Sequence, residues 1–104
     1  MSNKTHAIKI VDIKSFLKKS LGLIGKEKPQ AIFFRTRYGI HTFGMRFPID
    51  VIILDEKNKV VKLKEHLQPN KFFFWNLRYN NVVELPDGII KKEQIFYGDV
   101  IITL

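Results

Sequence analysis

His41-Thr42-Phe43-Gly44-Met45-Arg46-Phe47-Pro48-Ile49-Asp50 runs straight into Val51-Ile52-Ile53-Leu54-Asp55, joining a polar, turn-rich stretch to an unbroken apolar one. An apolar run from Val51 to Leu54 is the pattern of a strand covered on both faces. Gly44 and Pro48 break any long ladder before it, so residues 42–47 are expected to be extended and irregular. A rigid strand entered through such a loop is a place where a scaffold presents functional groups.

Outward from this segment the chain reads mostly as short strands. Downstream, Asp55-Glu56-Lys57-Asn58-Lys59 is a hairpin loop in which Asn58 takes positive φ, and Val60 to Leu63 returns antiparallel. Pro69-Asn70 opens a loop before Phe72-Phe73-Phe74-Trp75. Val82 to Leu85 is a strand closed by the turn Pro86-Asp87-Gly88, and Gly98-Asp99 turns into a last strand, Val100 to Thr103. Upstream, Ala31 to Arg35 is a strand followed by a turn at Tyr38-Gly39. Ile8 and Ile10 flank a polar Lys9, the alternation of a short strand.

One segment has helical spacing. Asp12 is a good N-cap, and Ile13, Phe16, Leu17, Leu21 and Ile24 recur on one side, with Lys14, Lys18 and Lys19 largely on the other. Gly22 or Gly25 can end that helix, and Pro29 forbids its continuation. The expected architecture is a single domain over 1–104 in the mainly β (α+β) class. It is a small barrel- or sandwich-like domain of about six short strands with one N-terminal helix.

The chain has 104 residues and no cysteine, which excludes a disulfide framework, a thiolate nucleophile and Cys-ligated zinc. No apolar run approaches the roughly 18 residues of a membrane span, and the first residues lack the apolar core of a signal peptide. A cytoplasmic location is expected. The net charge of +8 is unevenly placed: residues 1–40 carry nine Lys/Arg against two acids, residues 41–104 nine against eight. A basic N-terminal third suits nucleic acid, an acidic protein or an anionic membrane surface, but a solvated face that keeps a small domain soluble is favoured.

Gly22-Leu23-Ile24-Gly25-Lys26, Ala31-Ile32-Phe33-Phe34, the 41–50 motif with its strand, Val83-Glu84-Leu85-Pro86-Asp87-Gly88 and Gly98-Asp99 occur in an order that resembles a prokaryotic family. It is the uncharacterised protein family catalogued as domain of unknown function 192. The resemblance covers the chain from about Lys9 onward. It implies a compact, mainly β domain with one helix near its N-terminus, and no established reaction, cofactor or substrate. Two departures stand out: Ile24 where many members have methionine after Gly-Leu, and Ala31-Ile32 in place of the usual Gly-Met. Both keep an apolar side chain and imply a core that packs somewhat differently.

Candidate site residues follow from side-chain chemistry. His41, Arg46 and Asp50 are the polar members of the central motif; at one mouth of a barrel they would bind an anionic or hydroxyl-rich ligand, with Phe74 and Trp75 lining the site. The structural alternative has Asp50 accepting from turn amides, Arg46 pairing with Asp50 or Glu84, and His41 bonding a carbonyl. For Asp50 the structural role is favoured. His6, His41 and His66 are far apart in sequence and in no ligand motif, so no metal site and no cofactor are expected.

No nucleophile elbow or Walker loop is present, so no catalytic residue is assigned. In the aromatic run, alternate members face opposite sides: two rings enter the core while two stay outside, or all four cap a small core. The leading expectation is a non-catalytic small-ligand or protein binding module, monomeric or weakly dimeric. A nucleic-acid-associated protein using Lys14, Lys18, Lys19, Lys71 and Arg78 is the first alternative. A small hydrolase or isomerase using Asp50, Glu84 and His41 is the second, and it requires those side chains to converge.

Overall fold

The computed structural model describes residues 3–10 and 31–104. Its strands are β1 (Thr5–Ile8), β2 (Ile32–Arg35), β3 (Gly39–His41), β4 (Ile49–Leu54), β5 (Val60–Leu67), β6 (Phe72–Phe74), β7 (Asn81–Pro86) and β8 (Val100–Thr103), with one short helix, α1 (Ile89–Lys92), between β7 and β8. Among the described residues the chain is mainly β as expected, with eight strands rather than about six. The expected helix over 12–24, with Lys14, Lys18 and Lys19, lies outside the described residues.

The barrel expectation is not met. The strands form three open sheets: an antiparallel sheet ordered β2-β7-β4-β5, a parallel pair β1-β8, and an antiparallel ribbon β3-β6. Among the described residues β2 and β5 remain the edges of the central sheet, and closure would need them to pair. Burial accounts for the layering. All six residues of β4 are buried, so both faces of that strand must be covered.

One face packs Ile52, Leu54, Val83 and Leu85 against Ile90 of α1, Ile95 and Ile101 of β8. The other packs Ile49, Val51, Ile53 and Val82 against Phe73 and Trp75 at the ribbon. Fully burying each such aliphatic side chain contributes roughly 1.5–3 kcal/mol. A single sheet with a core on each side therefore replaces the barrel interior.

Helix α1 has no counterpart among the expected elements. Its apolar pair Ile89-Ile90 is too short to show helical periodicity. It starts at Gly88, which holds φ 90° and offers no capping side chain. The hairpin chemistry is as expected: Asn58 has φ 64°, and Asp55 Oδ1 accepts from the amides of Lys57 and Lys59 at 2.8 and 2.9 Å. β5 departs from expectation by running on to Leu67. It does so through a bulge: Ile49 faces Leu67 but Val51 faces Lys64, so β5 carries one extra residue opposite Asp50. His66 in that bulge has φ 53°.

Candidate functional site

Asp50 is the deepest of the polar residues in the central motif, with no exposed surface. Its Oδ1 accepts from the His66 amide at 3.0 Å and its Oδ2 from the Ile90 amide at 2.8 Å. One carboxylate thus fixes the β5 bulge and supplies the cap that Gly88 lacks for α1. Asp50 is a structural tie with both oxygens engaged.

The side chains expected to join Asp50 are elsewhere. Arg46 is exposed and, among the described residues, forms no ion pair with Asp50 or Glu84. Glu84 sits on β7 between Ile32 of β2 and Val51 of β4. Asp50 is paired with Leu85, one residue along, so Asp50 and Glu84 point to opposite faces of the sheet. Glu84 is half-buried among apolar neighbours, and this burial pushes its carboxyl up to about 7. His41 lies on the outer ribbon. Asp50, Glu84 and His41 therefore do not form one constellation.

The other histidines take local roles. His6 Nε2 meets Asp99 Oδ2 at 2.9 Å. Burial alone would raise the Asp99 carboxyl, but the bond from His6 and those from the amides of Phe96 and Lys4 outweigh it and hold the group below its usual range. His66 donates through Nδ1 to Asp87 at 3.0 Å. Among the described residues no three His, Asp or Glu side chains converge as metal ligands would.

The aromatic run divides by alternation. Phe73 and Trp75 are buried, and Trp75 Nε1 donates to the Tyr79 carbonyl at 2.7 Å. Phe72 and Phe74 are 59% and 54% exposed, a large apolar area for so small a domain to leave in water. Phe74 and Trp75 therefore cannot line one site together.

The exposed rings are not isolated. Tyr38 stacks on Phe74 at 6.5 Å between centroids, Phe74 on Phe72 at 5.8 Å, Phe72 meets Phe43 edge-on at 4.9 Å, and Phe43 stacks on His41 at 5.0 Å. Register accounts for the middle of the row: Gly39 and His41 of β3 face Phe74 and Phe72 of β6, so these four positions share the outer face of the ribbon. The inner face is pinned. Ile40 and Phe73 enter the core, and Lys62 Nζ donates to the Phe74 carbonyl at 2.8 Å.

Thr42 anchors the end of the ribbon. It is buried, its hydroxyl donates to the Gln68 carbonyl at 2.7 Å, and it accepts from the Lys71 amide at 2.9 Å. The row is thus a set of exposed rings on a fixed support.

The model of the family described as an uncharacterised ACR, domain of unknown function 192, matches residues 1–103. The chain belongs to this family. No curated protein matches the chain. A solved structure of a protein of unknown function from Novosphingobium aromaticivorans is similar in fold, with a TM-score of 0.65 at 13% identity, covering 94% of this chain and 73% of that one. At that identity the likeness speaks for the fold alone.

Within this family member, sequence reasoning singles out His41 and Phe74 of the row but misses Tyr38, Phe43 and Phe72. The alternation inside 72–75 carries the signal for Phe72. Tyr38 and Phe43 need the pairing of β3 with β6, which links residues more than thirty apart in the chain. Of the basic candidates, Lys71 and Arg78 are exposed. Among the described residues, no helix is long and apolar enough to cross a membrane.

Proposed function

We propose that this protein is a non-catalytic binding module whose contact surface is the outer face of the β3–β6 ribbon. The observation that carries this reading is the continuous row Tyr38, Phe74, Phe72, Phe43 and His41, whose four larger rings are each about half exposed or more. Exposed aromatic clusters on a rigid support are typical of surfaces that anchor a partner, because the rings lose little entropy when they are covered. The polar residues considered for catalysis support the same reading, since Asp50 has both oxygens engaged with backbone amides and Glu84 lies on the other face of the sheet.

The test is a fluorescence titration with Nile red, a neutral aromatic probe, against the folded protein and a Phe72→Ser/Phe74→Ser variant. Saturable binding by the parent protein is expected, with affinity about tenfold or more weaker in the variant and the far-ultraviolet circular dichroism unchanged. Equal binding by both proteins would refute the assignment of this face.

A further inference from the structure

The aromatic row does not stop at Tyr38. Arg37, its covalent neighbour, forms part of the wall of a cleft of about 650 Å³. Lys57 and Lys59 of the β4–β5 hairpin, Arg78, Tyr79 and Asn80 of the segment leading into β7, and Asn81 at its start supply further walls. The chain runs from ribbon to cleft on both sides: the Trp75 amide donates to the Tyr38 carbonyl at 2.8 Å, and Arg78 follows three residues on.

Four cations line this cleft against the carboxylates of Asp55 and Glu56. Asp55 Oδ1 is held by the Lys57 and Lys59 amides, and the four cations outnumber the two carboxylates. Among the described residues the ion pairs are His6 with Asp99 and His66 with Asp87, so none of the four cations forms an ion pair with a described carboxylate. Unpaired cations around a concave polar site favour an anionic occupant. The surface therefore joins flat apolar rings to a cationic cleft through adjacent residues.

Single-stranded nucleic acid presents both complements together: base faces for the rings and phosphates for the cations. A duplex hides its base faces, and an acidic peptide brings charge without regularly spaced rings. We infer that the ribbon and cleft form one binding surface for single-stranded nucleic acid, with bases on the Tyr38–Phe74–Phe72 row and phosphate in the cleft beside Arg37 and Arg78. This assignment rests on the binding-module reading and names its partner.

The experiment is fluorescence anisotropy with a short labelled oligothymidine, run on the parent protein, Phe72→Ser/Phe74→Ser and Arg37→Gln/Arg78→Gln, with Nile red binding measured in parallel. Both variants alter exposed side chains, and circular dichroism checks that each is folded. Each pair of substitutions is expected to weaken oligothymidine binding by about tenfold. The arginine pair also lowers the slope of log affinity against log salt by about 0.7 for each phosphate no longer neutralised, and leaves Nile red binding intact.

Three results overturn the nucleic-acid assignment alone, and a fourth overturns it together with the reading it rests on. Nile red binding without any oligothymidine binding sinks the nucleic-acid partner and spares the contact face. Duplex binding as tight as single-strand binding leaves the rings without a role. Equal competition by poly-glutamate through the same residues reassigns the surface to acidic proteins. Absence of Nile red binding by the parent protein refutes the module reading itself.

Discussion

The ring of Phe74 fills the space that a side chain at Gly39 would need: a Cβ there would lie 2.6 Å from the Phe74 Cδ1 and 2.9 Å from its Cε1. The two residues face each other across the ribbon, so the bare backbone of one is the seat of the other. This seat positions the ring that links Tyr38 to Phe72.

Gly39→Ala is therefore expected to displace Phe74 and interrupt the row. The clash is with a half-exposed ring that can turn aside, so the stability cost stays at about 1 kcal/mol, the low end for overpacking. Nile red binding falls more than stability does. Calorimetry and the dye titration, run on the same variant, separate the two effects.

Asp50 makes a different prediction. Asp50→Ala leaves the His66 and Ile90 amides without an acceptor in a buried setting, at a cost of about 3 kcal/mol or more in urea unfolding. Asp50→Asn retains one acceptor oxygen and costs less. Surface dye binding per folded molecule is unchanged in either variant. A change in binding with stability intact would return Asp50 to the candidate site.

Glu84 sets a pH dependence. Its carboxyl ionises near 4.5 in the unfolded chain and about 7 in the folded one. Between these values the native state holds the proton that the unfolded state has released, so stability falls as pH rises through this window. The full effect reaches up to about 3 kcal/mol above pH 7. Glu84→Gln removes this slope, which equilibrium unfolding across the pH range measures directly.

Asp99 acts in the opposite sense. Its folded carboxyl lies below the ordinary 3.8, so the stability it contributes is present above that value and is lost as the pH falls through the folded value. Asp99→Asn flattens the acid limb of the same unfolding experiment. The Glu84→Gln variant keeps that limb.

The fold is legible in the sequence where local chemistry decides it. The apolar run of β4, the Asp55 turn with Asn58 at φ 64°, and the strand of Val100–Thr103 all follow from neighbouring residues. The open sheets do not, because whether edge strands close depends on long-range pairing. Asp50 illustrates the limit at the site: its residue type announces a bonded turn, but its partners, His66 and Ile90, lie 16 and 40 residues away. The aromatic row is half visible for the same reason: the sequence singles out His41 and Phe74, alternation pairs Phe72 with Phe74 without fixing which pair faces out, and only the pairing of β3 with β6 brings Tyr38 and Phe43 near them.

The most direct test of the contact face is residue-resolved amide chemical-shift mapping of the folded protein during titration with Nile red. A binding ribbon predicts shifts concentrated at 38–43 and 72–74, with the amides of Ile52, Leu85 and Ile101 unmoved. Shifts spread through those core positions, with the ribbon silent, would contradict it.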